Sequence, residues 1–497
     1  MAAGKIFSEK DSKLALDVVQ LVWANPFSGE RIEIERRLLG LGSGSRLSME
    51  EFSRLLELPA QLLDRGRRRL AEAGGKSASD FDIYQQIAFF ELFHQFAPDF
   101  DRLINDAHER GSAGRRITFY DRFEKLLDYW VPAGLGGEYQ GFPASRLFAV
   151  YFQVRRAYYH IVHYIVGESD AARQLRSRVW QSIFTHDMER YQRVLTERLG
   201  DVITLITGPS GSGKELVARG IGLSRFIPFD ATNRQFEEDF VRAFYPVNLS
   251  ALSTNLIESE LFGHRKGAFT GALKDRKGYL ETCGPYGTVF LDEIGETEVA
   301  IQVKLLRLLQ TRVFSPIGDT ESLHFRGKIM AATNRDLAEE IDSGRFREDF
   351  YFRLNADRIH TPSLKDILAN NASELERLVG FIARRVAGPE GSSLTAEVCD
   401  FIRKEMPAEY PWPGNFRELE QCVRNVLIHG DYTAEEFHSK RKVPEWQRRF
   451  EQGEFTADEL LSEYVTRLYK ETPNYEALGR RLDLDRRTVK KYVKADS

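Results

Sequence analysis

The residues most able to do chemistry lie in a glycine-rich stretch that follows an apolar run, residues 202–207. Glycines let successive backbone N–H groups converge on phosphate oxygens, and the start of a helix adds its positive dipole. A lysine at the end of the stretch adds a charge for the outer phosphates of a nucleotide. A purely structural glycine turn is the alternative. The residues expected to bind the nucleotide are Gly208, Pro209, Ser210, Gly211, Ser212, Gly213, Lys214 and Glu215.

Two adjacent carboxylates follow a second apolar run, residues 287–291. A buried strand has no packing reason to end in two acids, whereas a phosphoryl-transfer site does. Asp292 can hold Mg²⁺, and Glu293 can orient and activate the attacking water. A third run, residues 328–332, ends in Thr333 and Asn334, which can reach the outer phosphate. Because parallel α/β sheets bind ligands at the carboxyl ends of their strands, these motifs predict an NTPase site at one sheet edge.

The elements around these motifs change in character along the chain. Helical periodicity dominates the first 200 residues, short β-rich runs alternate with helical segments over 202–360, and strand signals stop after 373. Alternation of strands and helices favours a parallel sheet. We therefore expect a multidomain protein with a helical N-terminal domain (1–177), an α/β core (178–365), a small helical domain (366–435), and a linker with a C-terminal helical domain (436–497).

Composition excludes several classes of protein. The 497 residues carry 70 Lys and Arg against 74 Asp and Glu, a net charge of −4, so any nucleic-acid surface must be local. Three scattered cysteines do not suggest a disulfide framework or zinc cluster. The charged N-terminus and the absence of a long uninterrupted apolar stretch argue against secretion and membrane insertion. A cytoplasmic protein without a membrane partner is expected.

The helical N-terminal part is dense in aromatic residues, especially over 145–166. A bulky helical core explains this density, and a pocket for an aromatic or apolar effector is the alternative. His160 and His163 are spaced to share a metal, but no third ligand accompanies them.

Between the first two motifs, a single aromatic lies among glycines and is flanked by Lys266 and Lys274. A glycine-bounded loop with one large apolar side chain predicts an exposed contact tip. Its residues are Gly267, Ala268, Phe269, Thr270, Gly271 and Ala272.

This hexapeptide resembles the GAFTGA loop of bacterial enhancer-binding proteins, the AAA+ activators of sigma-54 RNA polymerase. The segments at 290–296, 302–310, 346–354 and 412–420 resemble further motifs of the family in the same order. The resemblance covers roughly residues 178–430, continues less closely to the C-terminus, and is absent before about 175. It implies an AAA+ P-loop core with a helical lid, and ATP and Mg²⁺ as cofactors.

The resemblance also implies roles for individual residues. In the family, Glu follows the P-loop lysine, so Glu215 is not a defect, and the loop Gly267–Ala272 contacts sigma-54. Arg417 corresponds to sensor II in the lid. The arginines of the catalytic set reach the nucleotide of a neighbouring subunit, which requires a homo-oligomeric ring, usually a hexamer. The catalytic and sensing residues implied are Glu293, Asn248 (paired with Glu293), Thr333 and Asn334 (sensor I), Arg347 and Arg353.

Two segments depart from the family pattern. Residues 226–243 form an apparent insertion before the strand that carries Asn248, and residues 361–366 (TPSLKD) replace the usual PPLRER. Lid docking and adenine contacts are expected to differ as a result.

The C-terminal residues 474–494 predict helix, short turn, helix, with a basic second helix. The pattern resembles the Fis-type helix-turn-helix of the same family, and a solvated basic tail is the alternative. The residues expected to contact double-stranded DNA are Arg486, Arg487, Thr488, Lys490 and Lys491.

Together these features identify a candidate ATP-hydrolysing transcriptional activator that binds DNA upstream of promoters and remodels the sigma-54 RNA polymerase holoenzyme. One alternative is an AAA+ remodelling ATPase of another class. The other is a DNA-binding regulator that uses nucleotide only as a ligand.

Overall fold

Amphipathic helices form the first part of the chain, as the sequence predicts. The computed structural model describes residues 6–44, 46–72, 78–114, 116–132, 143–251, 253–369, 372–407, 410–433, 446, 449–450 and 453–493. Ser8, Ser28 and Ser169 each begin a helix by accepting a hydrogen bond from a backbone N–H of the first turn. The helices before the sheet are α1 Glu9–Trp23, α2 Gly29–Leu38, α3 Met49–Glu72, α4 Ala78–Arg110, α5 Tyr120–Trp130, α6 Ala144–Tyr164, α7 Asp170–Phe184 and the single turn α8 Met188–Arg190.

A five-stranded parallel sheet follows, which confirms the predicted α/β core. Its strand order is β4-β5-β8-β1-β9, and β8 is buried along its whole length because helices cover both faces. Short pairs β2–β3 and β6–β7 form separate antiparallel hairpins. The strands are β1 Thr204–Thr207, β2 Phe229–Asp230, β3 Gln235–Phe236, β4 Phe244–Asn248, β5 Thr288–Asp292, β6 Val313–Phe314, β7 Leu323–His324, β8 Lys328–Thr333 and β9 Asp357–His360.

Helices alternate with these strands and then continue as a helical domain. The helices of the α/β core are α9 Lys214–Gly222, α10 Thr254–Phe262, α11 Tyr279–Thr282, α12 Val299–Thr311, α13 Leu337–Asp342 and α14 Glu348–Leu354. Those after the sheet are α15 Leu364–Leu368, α16 Ala372–Ala387, α17 Gly391–Glu405 and α18 Asn415–His429.

The helical part and the α/β core share one hydrophobic cluster. Helix α6 packs against α9, and Ala157 and Ile161 of α6 lie in the same buried cluster as Val217 and Ile221 of α9. Residues from Met1 to Tyr432 accordingly form one compact unit. The expected boundary at 177 falls inside α7, and the one at 365 falls inside α15.

The insertion 226–243 packs against the helical part. Its Phe229 ring lies 4.9 Å from the ring of Tyr120 and 4.6 Å from that of Phe148. The backbone N–H of Ile117 donates to the carbonyl of Arg234 over 2.8 Å. The insertion is therefore a β-hairpin that joins the α/β core to the helices before it.

Residues from Thr433 to Ser497 form a second compact unit. Its helices are α19 Ala457–Glu471, α20 Tyr475–Leu482 and α21 Arg486–Tyr492. Val465, Leu478 and Val489, one from each helix, form its buried core. In the described part of the chain, no helix combines the length and apolarity needed to cross a membrane.

Candidate nucleotide site and contact loop

The glycine-rich stretch runs directly from the end of β1 into the start of α9. Gly208, Gly211 and Gly213 have φ values of 148°, 72° and 90°, which side chains rarely adopt. A Cβ at Gly208 would overlap Thr361, and one at Gly211 would overlap the carbonyl of Gly414. The loop therefore needs glycine both for its conformation and for close approach to its neighbours, and its path to a helix N-terminus suits phosphate binding.

Lys214 begins α9 and folds back over the loop. Its Nζ donates to the carbonyl oxygens of Gly208 and Pro209, both over 3.1 Å. Burial lowers the pKa of Lys214, while the nearby carboxylates of Glu293 and Asp292 oppose that shift. The lysine of the glycine-rich stretch and the two carboxylates therefore lie close enough at one sheet edge to influence one another.

The two carboxylates end β5 in different environments. Burial raises the pKa of Asp292, and the neighbouring Glu293 raises it further. Glu293 has a left-handed φ of 55° and its N–H donates to Oδ1 of Asp292 over 3.0 Å. The Oε2 of Glu293 is buried and has no hydrogen-bond partner among the described residues. A carboxylate destabilised by burial beside a second, unpartnered carboxylate fits a bound divalent cation.

Asn248 lies beside this pair but does not bond Glu293 as the resemblance implied. It is in register with Asp292 across β4 and β5. Its side-chain oxygen accepts from the N–H of Ser250 over 3.0 Å and from the Ser250 hydroxyl over 2.8 Å. In this state the amide is therefore held by the turn that leads to α10.

Thr333 and Asn334 end β8 on the same sheet edge. Thr333 is fully buried, and its Oγ1 accepts from the N–H of Arg335 over 3.1 Å. A Cβ on Gly295 would come within 2.7 Å of this oxygen, so Thr333 packs on the turn that follows Glu293. Asn334 is exposed.

The helical domain after the sheet contacts the glycine-rich stretch 208–215 (the phosphate loop) through Asn415. No sequence prediction gave this residue a role. Asn415 is buried, has a left-handed φ of 54°, and donates from Nδ2 to the carbonyl of Ser210 over 2.9 Å. Its Oδ1 accepts from the N–H of Leu364 over 2.8 Å. An Asn directly after Pro413-Gly414 is a signal for this conformation, because Asn tolerates left-handed backbone.

Arg417 lies on the first turn of the same helix. The N–H of its neighbour Phe416 donates to the carbonyl of Gly211 over 3.1 Å. The positive charge of Arg417 is close enough to act on the pKa of Lys214. The predicted nucleotide contact is therefore adjacent to the loop.

Residues 361–366, one of the two segments that depart from the family pattern, contact the phosphate loop. The Thr361 hydroxyl lies 2.6 Å from the Ser212 hydroxyl. Ser363 and Asp366 form a reciprocal capping box that begins α15. Contacts of Thr361, Ser363 and Asp366 thus stabilise the end of β9 and the start of α15.

The two candidate arginine fingers do not contact their own phosphate loop among the described residues. Arg347 forms a two-fold ion pair with Asp349, at 3.0 and 2.7 Å, and its side chain is 42% exposed. Arg353 donates to the carbonyl of Leu309 over 3.2 and 3.1 Å. Arg353 lies on α14 and Arg347 directly precedes it.

The glycine-bounded loop is exposed at its tip and fixed at its base. Gly267 and Gly271 have φ values of 83° and 100° with open space around them, and Phe269 is 44% exposed. Its ring contacts His264 at 4.9 Å. The carbonyl of Ala272 accepts from the N–H of Gly267 over 2.9 Å and closes the turn.

A second segment, residues 315–322 between β6 and β7, supports the base of this loop. The N–H of Arg265 donates to the carbonyl of Ile317 over 3.0 Å, and the Arg265 side chain pairs with Asp319 at 2.7 Å. No sequence prediction covered this segment, although its proline, glycine and aspartate are typical of a turn.

In the C-terminal unit, α20 and α21 are joined by a tight turn. Asp483 has a φ of 53°, and a Cβ on Gly479 would lie 2.7 Å from the carbonyl of Leu484. Four candidate DNA contacts are exposed and Thr488 is half-buried; the exposed ones are Arg486, Arg487, Lys490 and Lys491.

Comparison with known proteins places the core in a family. Residues 181–360 match the sigma-54 interaction domain. The Nif-specific regulatory protein of Klebsiella pneumoniae is 40% identical over 265 residues, which are 53% of this chain and 44% of that protein. The transcriptional regulatory protein ZraR of Klebsiella oxytoca is 41% identical over 241 residues, 47% of this chain and 49% of that protein.

This chain therefore spans about half the length of the curated relatives that it matches. Among solved structures, NtrX from Brucella abortus in complex with ATP is 23% identical, with a TM-score of 0.41 over 72% of this chain and 76% of that chain. The resemblance found in the sequence is confirmed: residues 181–360 of this chain belong to the sigma-54 interaction domain family.

Proposed function

We propose that this protein is an ATP-hydrolysing transcriptional activator that binds DNA upstream of promoters and remodels the sigma-54 RNA polymerase holoenzyme so that the promoter opens. The observation that carries the proposal is the combination, within one sigma-54 interaction domain, of a phosphate loop, a carboxylate pair and an exposed glycine-bounded loop. Its activity belongs in the cytoplasm, where promoters and polymerase are found.

The arrangement supports hydrolysis of ATP by division of labour among residues of this chain. The backbone N–H groups of Gly211 and Gly213 and the charge of Lys214 bind the phosphates. Asp292 would hold Mg²⁺, which when bound neutralises phosphate charge. Glu293, with a free buried oxygen, orients the attacking water and accepts its proton.

A ring of identical subunits, expected to be a hexamer, completes the site. Arg347 and Arg353 do not contact their own phosphate loop. An arginine that enters from a neighbour stabilises charge in the transition state. Release of Arg347 from Asp349 costs little, because water and salt screen an ion pair on the surface.

Helix α10 is the element through which the nucleotide edge can move the exposed loop. Its N-terminal side follows Asn248 and Ser250, which are hydrogen-bonded to each other. At its C-terminal end, Ser259 pairs with His264 over 2.8 Å. A change of hydrogen-bond partner by Asn248 when the outer phosphate leaves would therefore displace the base of the Phe269–Thr270 tip.

DNA binding is proposed for the C-terminal unit. Helix α21 exposes a cluster of positive charge, and its N-terminal end is capped by Asp485. Phosphate contacts by Arg486 and Lys490 would give affinity, while Arg487, Thr488 and Lys491 would read base edges in the major groove.

One experiment separates this function from its rivals. Purified protein is incubated with sigma-54 holoenzyme, ATP and a supercoiled sigma-54 promoter. Promoter melting, phosphate release, and binding to sigma-54 and to DNA are measured on the same preparation. We expect ATP-dependent melting in step with phosphate release. Hydrolysis without binding to sigma-54 would indicate a remodelling ATPase of another class. DNA binding without hydrolysis would indicate a regulator that uses nucleotide only as a ligand.

A further inference from the structure

A cavity of about 750 Å³ lies among the helices before the sheet. Its wall is formed by α1, α2, α3, α4, α6 and α7. The volume falls in the range of about 300–1,000 Å³ that is typical of small-molecule sites. A core packed to normal density leaves only voids near the size of a water molecule, so this space is not a packing defect of ordinary size.

Aromatic rings form a large part of the apolar wall. Two of them have their polar atoms engaged elsewhere: Nε1 of Trp23 donates to Gln86 over 2.7 Å, and the Tyr151 hydroxyl donates to the carbonyl of Phe89 over 2.7 Å. Trp180 and Phe93 add further rings. Such a wall offers ring faces and edges for stacking, and favours a flat unsaturated ligand.

The charged groups of the wall already have partners, and the exposed Arg46 donates to the carbonyl of Pro26 over 3.3 Å. Arg31 pairs with Glu35 at 2.5 Å, and Arg155 holds Asp101 through three hydrogen bonds of 2.6 to 3.0 Å. In each pair the two charges balance, so neither pair favours the binding of an ionised ligand. An uncharged ligand avoids the cost of desolvating a further charge.

His94 is the polar side chain that lies among the aromatic rings of the wall. It lies among Phe52, Phe90 and Phe93, at ring distances of 6.1, 4.4 and 5.1 Å. Its two ring nitrogens make no hydrogen bond in the described part of the chain. Burial, with the charges of Arg31 and Arg155, lowers the pKa of His94 to about 3. The neutral ring therefore offers one donor and one acceptor.

We propose that this cavity is a binding site for a small, uncharged aromatic molecule that carries a hydrogen-bonding group, and that His94 recognises that group. Val154 and Tyr158 of α6 line the cavity and also pack against the cluster that contains Val217 and Ile221 of α9. Helix α9 begins at Lys214, the phosphate-loop lysine. Occupancy of the cavity is thus positioned to change the ATPase site through α6. This coupling, unlike the binding itself, rests on the proposed function.

Binding is tested on the full-length protein by isothermal titration calorimetry with 2-naphthol as the probe. We expect saturable binding of one molecule per chain. His94→Phe keeps the shape of the wall but removes the hydrogen bond, so it should weaken 2-naphthol by about 3- to 10-fold and leave naphthalene unaffected. Tighter binding of naphthalene-2-carboxylate than of 2-naphthol would overturn the assignment to an uncharged ligand.

A pair of matched substitutions on α6 locates the site. Val154→Phe fills part of the cavity and should weaken 2-naphthol by about tenfold or more. Val162→Phe makes the same change at a position that is 43% exposed and should leave binding within about twofold. Thermal unfolding of both variants checks that they fold. Absence of saturable binding to the parent protein, or equal binding by both variants, would refute the site.

The ATPase rate with and without 2-naphthol tests the coupling. We expect 2-naphthol to change the rate of the parent protein and not that of Val154→Phe. Binding without any change in rate would refute the coupling through α6. A protein that binds 2-naphthol but hydrolyses no ATP would refute the proposed function and not the site.

Discussion

The side-chain amide of Asn415 donates a hydrogen bond to the carbonyl oxygen of Ser210 over 2.9 Å, which joins the helical domain after the sheet to the phosphate loop. The same side chain accepts from the N–H of Leu364. One buried amide therefore links three segments that are distant in sequence.

Asn415→Asp should weaken ATP binding while the fold persists. Asp tolerates the left-handed backbone and keeps the acceptor for Leu364, but it places a carboxylate oxygen against the Ser210 carbonyl. We expect a loss of about tenfold in ATP affinity, measured by calorimetry. Asn425→Asp, at a half-buried position on the same helix whose side chain donates to the carbonyl of Gln421, is the control. Equal ATP affinity in both variants would show that the hydrogen bond from Asn415 to Ser210 does not contribute to ATP binding.

Glu293→Gln should bind ATP and fail to hydrolyse it. The amide preserves size but cannot accept the proton of the attacking water, so the rate should fall by about 10²–10⁴. Lys214→Ala should instead lose ATP binding, and the exposed Glu339→Gln should behave like the parent. Phosphate release and nucleotide binding are both measured. Turnover by Glu293→Gln at the parental rate would remove Glu293 from the role of base.

Arg347→Ala should lower the ATPase rate by about 10²–10⁴, because transition-state charge is left unstabilised. Asp349→Ala, which removes only the partner of the ion pair, should retain activity. The decisive measurement mixes Arg347→Ala with Glu293→Gln. If the arginine acts on a neighbour, mixed rings contain complete sites and activity returns. No recovery on mixing would place Arg347 outside a shared site.

Thr270→Ala should separate hydrolysis from promoter opening. Thr270 lies on an exposed tip and makes no contact with the phosphate loop, so phosphate release should stay within about twofold. Promoter melting should be lost, because the substitution alters the proposed contact to sigma-54. Thr311→Ala, an exposed threonine on α12, is the control. A parallel fall of both activities would make the tip a structural part of the ATPase.

Lys328 should make stability depend on pH. Burial lowers the pKa of Lys328 to about 7, while its Nζ donates to the carbonyl of Val202 over 2.6 Å. Between pH 7 and about 10 the unfolded chain binds more protons at this residue, so its contribution to the free energy of unfolding rises with pH.

The test compares the parent with Lys328→Met in chemical denaturation. The free energy of unfolding of the parent minus that of the variant should increase by about 2 kcal/mol from pH 7 to pH 9. Lys365→Met, at an exposed position, should show no such change. Parallel pH profiles for parent and Lys328→Met would show that Lys328 stays protonated when buried.

The sequence was sufficient to predict the sheet edge, because apolar runs that end in Asp292 and Thr333 carry a local signal for buried strands with polar ends. Contacts between distant segments had no such signal. The insertion 226–243 has strands of only two residues, too short for a periodic pattern. The contact of Asn415 depends on where Ser210 lies after folding. Asn248 bonds Ser250, which lies two residues away in a turn without a repeating pattern.

The apolar face of α9 that α6 covers limits how such proteins can recombine. Val217, Ala218 and Ile221 are buried in a cluster to which Ala157 and Ile161 of α6 and Leu175 and Val179 of α7 contribute. A gene fusion that joined a foreign segment at residue 178 would cut α7 and expose this face to water, which favours aggregation. Exchange of the upstream helices between relatives would therefore require that α6 and α7 stay joined to the α/β core that they cover.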